Sequence, residues 1–154
     1  DPLPMLANRR KLDLELDLLS RSSQQERQKF SILHLDLDRF KQINDTLGHA
    51  AGDAMLVHAS RILARSVRGS DLVARIGGDE FVIVLPSMDS AALQDFADQL
   101  CAALAALTLE TTPRVTASLG MALAAEHDTP ATLMQRVDQA QYRAKHQGGN
   151  CAAW

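Results

Sequence analysis

Two short apolar runs, Leu72 to Ile76 and Phe81 to Leu85, are separated by Gly77-Gly78-Asp79-Glu80. Apolar runs of this length around a glycine-rich bend read as two strands of a hairpin, so the chain is expected to build an antiparallel sheet. Glycine lacks a Cβ, so Gly77 and Gly78 are able to take positive φ and to admit a ligand close to the backbone. A plain turn would also use Gly-Asp. Two carboxylates between apolar strands, however, are not something a hairpin needs.

The rest of the chain supplies the partners of that hairpin. Phe30 to Leu37 reads as a strand. Residues 11–19 fit both a half-buried strand and a helix with Leu12, Leu16 and Leu19 on one face, and helix is preferred because Leu, Lys and Glu are good helix formers. Ser20 to Lys29 reads as a loop or a solvated helix end. Helices are expected over Arg39–Asp45, Gly52–Arg68 and Ser90–Leu107, and a strand over Arg114–Leu123. A last helix is capped by Thr129-Pro130 and stops at Gly148-Gly149. The order helix, strand, helix, helix, hairpin, helix, strand, helix predicts one α/β (α+β) domain over 1–154 with a mostly antiparallel sheet.

Composition narrows the function. With 154 residues, 46% of them apolar, the chain can bury a core. No apolar run approaches the ~20 residues of a membrane-spanning helix. No secretory pattern opens the chain, so this piece is expected to be cytoplasmic and free of direct membrane contact. Its start at Asp1 suggests a piece of something longer, which can itself be membrane-anchored. Cys101 and Cys151 form no CxxC pair and fit a reducing compartment. A formal net charge of −3 without a basic block argues against nucleic acid as a partner. An anionic substrate must then be held by a few local cations, a metal or helix N-termini.

Asp36 and Asp38 stand at the end of the first strand, two apart and therefore on one face. Such a pair can hold a hard cation such as Mg²⁺, although acidic residues often simply terminate strands. If this strand lies beside the hairpin, Asp36 and Asp79 can face one another across the sheet. Magnesium held by one or two carboxylates plus substrate phosphates suits phosphoryl or nucleotidyl transfer. His34, His58, His127 and His146 have no ligand spacing.

The run Gly77-Gly78-Asp79-Glu80-Phe81 is the signature that names GGDEF domains, and it arises by chance on the order of once per million positions. LDLDRFKQINDTLGHAAGD (Leu35 to Asp53), VTASLG (Val115 to Gly120), DQAQYRAK (Asp138 to Lys145) and Leu6-Ala-Asn-Arg-Arg10 resemble other segments of the same family. The resemblance implies a five-stranded, mostly antiparallel sheet flanked by helices, similar to class III nucleotide cyclases and the polymerase palm. It also implies a bacterial diguanylate cyclase: two GTP molecules joined into cyclic di-GMP at the interface of a homodimer, with Mg²⁺ (or Mn²⁺ in its place) as cofactor. An upstream sensor domain would complete a longer signalling protein.

By the same resemblance Asp36, Asp79 and the Leu37 carbonyl match metal ligands. Glu80 matches the second motif acid, which binds metal or activates the attacking hydroxyl. Asn44 and Asp53 match the guanine readers, whose amide and carboxylate suit an edge that adenine lacks. His49 lies in the same segment. Phe40 and Lys41, with neighbouring backbone N–H groups, match the phosphate cradle, and Lys145 a second phosphate contact. Arg68-Gly-Ser-Asp71 matches an RxxD inhibitory site for the product, since arginine can stack on guanine and bind phosphate bidentately. A capped loop after a helix is its plainer reading. Two departures stand out: Gly149 replaces an arginine common in the family, and Leu3-Pro4-Met5-Leu6 replaces Leu-Thr-Gly-Leu. A receptor that binds GTP or cyclic di-GMP without catalysis remains the alternative.

Overall fold

Every residue of Phe30–Leu37 (β1) is buried, which a strand achieves only at the centre of a sheet covered on both faces. The computed structural model describes residues 6–26, 29–106 and 116–154, with side chains described outside 22–26. The opening Asp1 to Met5, Leu107 and Arg114-Val115 lie outside the described residues. β1 is flanked by Glu80–Pro86 (β3) and Ala117–Leu123 (β4), both antiparallel to it. Leu72–Arg75 (β2) extends the β3 edge antiparallel, and Cys151–Ala153 (β5) runs parallel to β4 on the other side. The spatial order is β2-β3-β1-β4-β5, the five-stranded, mostly antiparallel sheet that the resemblance implies.

Alternation along β1 divides the core into two layers. Leu33, Leu35 and Leu37 pack with Ile83, Leu119 and Met121 against Phe40–Leu47 (α2), His49–Ser66 (α3) and Ser90–Ala105 (α4). Phe30 and Ile32 pack with Val82, Val84 and Ala122 against Arg9–Glu26 (α1) and Pro130–His146 (α5). Residues 11–19 are thus helical: Leu12 and Leu16 are buried in this second layer, and Arg9–Asp13 and Asp17–Arg21 ion pairs four apart support the turns. The helix continues to Glu26, so of the two readings of Ser20 to Lys29 the helix end holds that far.

Three boundaries differ from expectation for identifiable reasons. α3 begins at His49, not Gly52, because Gly48 at φ 92° ends α2 and opens α3 as a single junction residue. It stops at Ser66, with Val67 already extended. β5 follows α5 where only a helix stop was expected. Thr129 caps α5 as anticipated, accepting from Thr132 N–H at 3.2 Å while Thr132 Oγ1 accepts from Thr129 N–H at 2.9 Å.

Candidate functional site

Pairing β1 with β3 in the register that buries both apolar sequences leaves Asp36 opposite Glu80. The Leu37 N–H then donates to the Asp79 carbonyl at 3.2 Å, so the hairpin bend is stitched to the end of β1. Asp36 is only 6% exposed, and its Oδ2 accepts from Lys145 Nζ, which reaches over from α5. Burial first, then a hydrogen bond to Asp36 and the charges of Asp36 and Glu80, push the Asp79 carboxyl up from 3.8 to about 7, against a backbone hydrogen bond that works downward. Asp36 Oδ1 is buried with no hydrogen-bond partner. Burial works against the Lys145 ammonium, but the hydrogen bond to Asp36 and the charges of Asp36, Asp79 and Glu80 outweigh it and raise its pKa.

Three carboxylates therefore crowd one lysine. Among the described residues no group of three or more His, Cys, Asp or Glu side chains forms a ready-made metal cage. A pair of oxygen donors, one with an orphaned buried oxygen and the other raised by burial and by its neighbour Asp36, nevertheless fits a hard divalent cation whose remaining ligands come from a phosphate-bearing substrate.

The bend itself is held by a residue the sequence reading passed over. Arg75 Nε donates to the carbonyls of Gly77 and Gly78 at 3.1 and 3.2 Å, and its Nη2 donates to Gly78 at 2.8 Å. Neither glycine uses the positive φ open to it. A Cβ on Gly77 would lie 3.2 Å from Glu80 Oε2, so the Glu80 side chain folds back over the bend.

Asp38 does not join Asp36 in the pair expected from their spacing. It lies beyond the strand end, and its carboxylate is saturated by Thr116 Oγ1 (2.7 Å), Ser118 Oγ (2.6 Å) and the Asn150 N–H (2.9 Å). Gly149, which stands where the family often has arginine, adopts φ 75° and backs onto this carboxylate.

Facing the acidic end of the sheet are α2 and α3. Arg39, the N-cap of α2, is left-handed at φ 59° and makes no side-chain cap, so the first N–H groups of α2, at Phe40 and Lys41, are open to an anion. Phe40 packs its ring partly against the core, and Lys41 is exposed. Across the Gly48 junction the Asn44 amide packs against α3 at Gly52, the residue before Asp53. A Cβ on Gly52 would fall 1.8 Å from Asn44 Oδ1, so the Asn44 amide occupies the place of a side chain next to Asp53. Asp53 and His49 are exposed.

The RxxD residues sit apart, between α3 and β2. Arg68 Nε and Nη2 grip both oxygens of Asp71 at 2.8–3.2 Å, and Nη2 also donates to the Pro86 carbonyl at 2.8 Å. Asp71 additionally accepts from the Arg68 N–H at 2.8 Å, and the hydrogen bond to Asp71 raises the Arg68 pKa. Arg68 is half-exposed, whereas the Asp71 side chain is 1% exposed. In this conformation the pair is a locked turn, the plainer of its two readings. Of the histidines set aside, His34 is buried with Nδ1 2.7 Å from Asp138 Oδ1, and His146 stacks on Tyr142.

Residues 1–151 match the family model of the diguanylate cyclase GGDEF domain. The chain is 41% identical over 152 residues to diguanylate cyclase TpbB of Pseudomonas aeruginosa, covering 96% of this chain and 35% of that protein. To diguanylate cyclase DgcM of Escherichia coli it is 40% identical over 123 residues, covering 80% of this chain and 30% of that protein. The chain thus spans about a third of the length of these curated relatives. The crystal structure of the TpbB GGDEF domain superposes with a TM-score of 0.89 at 39% identity, covering 96% of this chain and 95% of that one. The coiled coil and GGDEF domain of DgcB from Caulobacter crescentus, solved in complex with c-di-GMP, gives 0.93 at 27% identity, covering 99% and 83%. With a matching family model along nearly its whole length and its signature acids gathered at one end of the sheet, this chain belongs to the diguanylate cyclase GGDEF-domain family.

Proposed function

We propose that this domain joins two GTP molecules into cyclic di-GMP, releasing two pyrophosphates, as a Mg²⁺-dependent homodimer. The observation that carries the reading is the opposition of Asp36 and Glu80 across β1 and β3, with Asp79 against Asp36. The names of the relatives support it.

On this reading Asp36, Asp79 and the Leu37 carbonyl hold the metal, with Mn²⁺ able to replace Mg²⁺. Bound there, the cation neutralises phosphate charge and acidifies the attacking hydroxyl. The N–H groups at Phe40 and Lys41 and the Lys145 ammonium hold the phosphates. Asn44 and Asp53 read the guanine edge, with His49 beside them. The 3′-hydroxyl of one GTP forms a bond to the α-phosphorus of the other, the bond to pyrophosphate breaks, and the hydroxyl proton goes to Glu80 or, where Glu80 instead shares the cation, to water. A positioned base contributes about 10²–10⁴-fold. Each chain carries one such site and the product holds two equivalent new bonds, so two domains must face each other and a monomer is inactive.

Arg68 and Asp71 form the product-inhibition site on this reading, and Arg68 must leave Asp71 to grip a phosphate. The longer relatives support an upstream sensor domain. GTP as substrate supports a cytoplasmic setting, and among the described residues no helix is long and apolar enough to cross a membrane.

The test is incubation of concentrated domain with GTP and Mg²⁺, followed by nucleotide analysis. Cyclic di-GMP is expected, and Asp79→Ala should abolish it while leaving a cooperative thermal melt. Tight nucleotide binding without product would overturn catalysis in favour of a receptor.

A further inference from the structure

The Asp38 carboxylate is spent on the protein itself. Its three donors come from two distant places, the entry to β4 and the loop between α5 and β5. That loop runs through Gly148, Gly149 and Asn150 at φ 105°, 75° and 49°, with the Gly148 and Gly149 N–H groups donating to the Lys145 and Ala144 carbonyls. Asp38 ties its far end: it accepts from the Asn150 N–H, and a Cβ on Gly149 would fall 2.8 Å from its Oδ2. Lys145, which grips Asp36, leaves α5 just before the same loop.

The backbone of Asp38 matters equally. Its N–H donates to the Thr116 carbonyl at 2.8 Å, toward β4. In a trans peptide the carbonyl points opposite to the N–H of the next residue. The Leu37 carbonyl is therefore turned away from β4, to the side where the Leu37 N–H meets Asp79.

We infer that Asp38 is a positioning residue for the proposed metal site: tied to Thr116, Ser118 and Asn150, it sets the direction of the Leu37 carbonyl and the places of Asp36 and Lys145. The inference rests on the reading that Asp36, Leu37 and Asp79 hold the cation. The Asp38 carboxylate already accepts three hydrogen bonds from the protein, and it acts through the strand end it anchors. Such supporting partners of metal ligands are worth about 10–100-fold in metal affinity.

The experiment is Mn²⁺ binding by electron paramagnetic resonance, with a non-hydrolysable GTP analogue present, alongside Mg²⁺-dependent turnover. Asp38→Asn should weaken Mn²⁺ by about 10–100-fold and raise half-saturating Mg²⁺ by a similar factor, with a smaller change in the rate at saturating Mg²⁺. Wild-type Mn²⁺ affinity in a cooperatively melting Asp38→Asn domain overturns the inference. Should that variant not fold, Thr116→Val and Thr116→Ser decide: Val must weaken Mn²⁺ and Ser must recover most of the loss, and equal affinities overturn it. A wild-type domain that neither binds Mn²⁺ with nucleotide nor turns over overturns the metal reading itself, and this inference with it.

Discussion

Replacing Asp79 by asparagine keeps the shape of the side chain and removes a charge that the folded domain resists. The carboxyl rises from 3.8 to about 7, chiefly through burial and then through Asp36. Three units at 1.36 kcal/mol each set a ceiling of about 4 kcal/mol. Asp79 is only half-buried, and solvent screening brings the expected penalty down to about 1–2 kcal/mol. The sign follows from linkage: below 3.8 the group is protonated in both states and imposes no penalty, which then builds as pH rises because the unfolded chain ionises first. It is complete above about pH 7. In metal-free buffer with chelator, Asp79→Asn should therefore melt about 2–8 °C above wild type at pH 8, and the gap should close toward pH 4.5. Mg²⁺ with GTP should raise the wild-type midpoint and leave the variant unmoved. A gap that does not vary with pH, or a variant less stable than wild type at pH 8, would refute the claim that ionising Asp79 costs the folded domain stability.

Gly52→Ala would put a Cβ 1.8 Å from Asn44 Oδ1, and since that amide ends a flexible side chain it yields at little cost. Alanine favours the α3 interior by up to about 1 kcal/mol, so the melt should not fall, while the displaced guanine reader weakens a non-hydrolysable GTP analogue by about 5–100-fold in calorimetry. Unchanged affinity would show that Asn44 does not read the base from this position. Gly149→Arg restores the residue the family often carries, yet φ 75° costs about 1–2 kcal/mol for a side chain and the new Cβ presses on a carboxylate held by three donors. It should lower the melting midpoint by about 2–8 °C and give no tighter GTP binding, and tighter binding at full stability would refute the fit between Gly149 and Asp38.

What the sequence revealed, and what it hid, follows from how far apart the cooperating residues lie. The hairpin was legible because its two apolar runs and their bend are contiguous, and the opposition of Asp36 to the motif acids followed once β1 was placed beside β3. The helix over residues 11–19 was preferred but not settled, because leucines spaced by two fit either period until Leu12 and Leu16 are seen buried. The role of Asp38 was left open because its partners Thr116, Ser118 and Asn150 are 78, 80 and 112 residues away, and nothing local distinguishes a carboxylate held by the protein from a free one. β5 was invisible for a related reason. Cys151-Ala152-Ala153 has no strand character of its own and exists by parallel pairing with β4. Arg75 could have been found: an arginine two residues before paired glycines is well placed to satisfy their carbonyls.

The charge balance of the proposed site bears on what its ligand is. Asp36, Asp79 and Glu80 face Lys145 in a chain that is already negative overall, so the metal-free pocket repels a bare triphosphate even with the N-terminus of α2 open to it. The cation alone is also poorly served, since Asp79 keeps a share of its proton near neutral pH and only two side-chain carboxylates and a carbonyl are offered to it. Each deficit is met by the other partner: phosphate oxygens complete the coordination the protein leaves open, and the cation cancels the repulsion between nucleotide and acids. On the proposed reading the true ligand is therefore the metal–nucleotide complex.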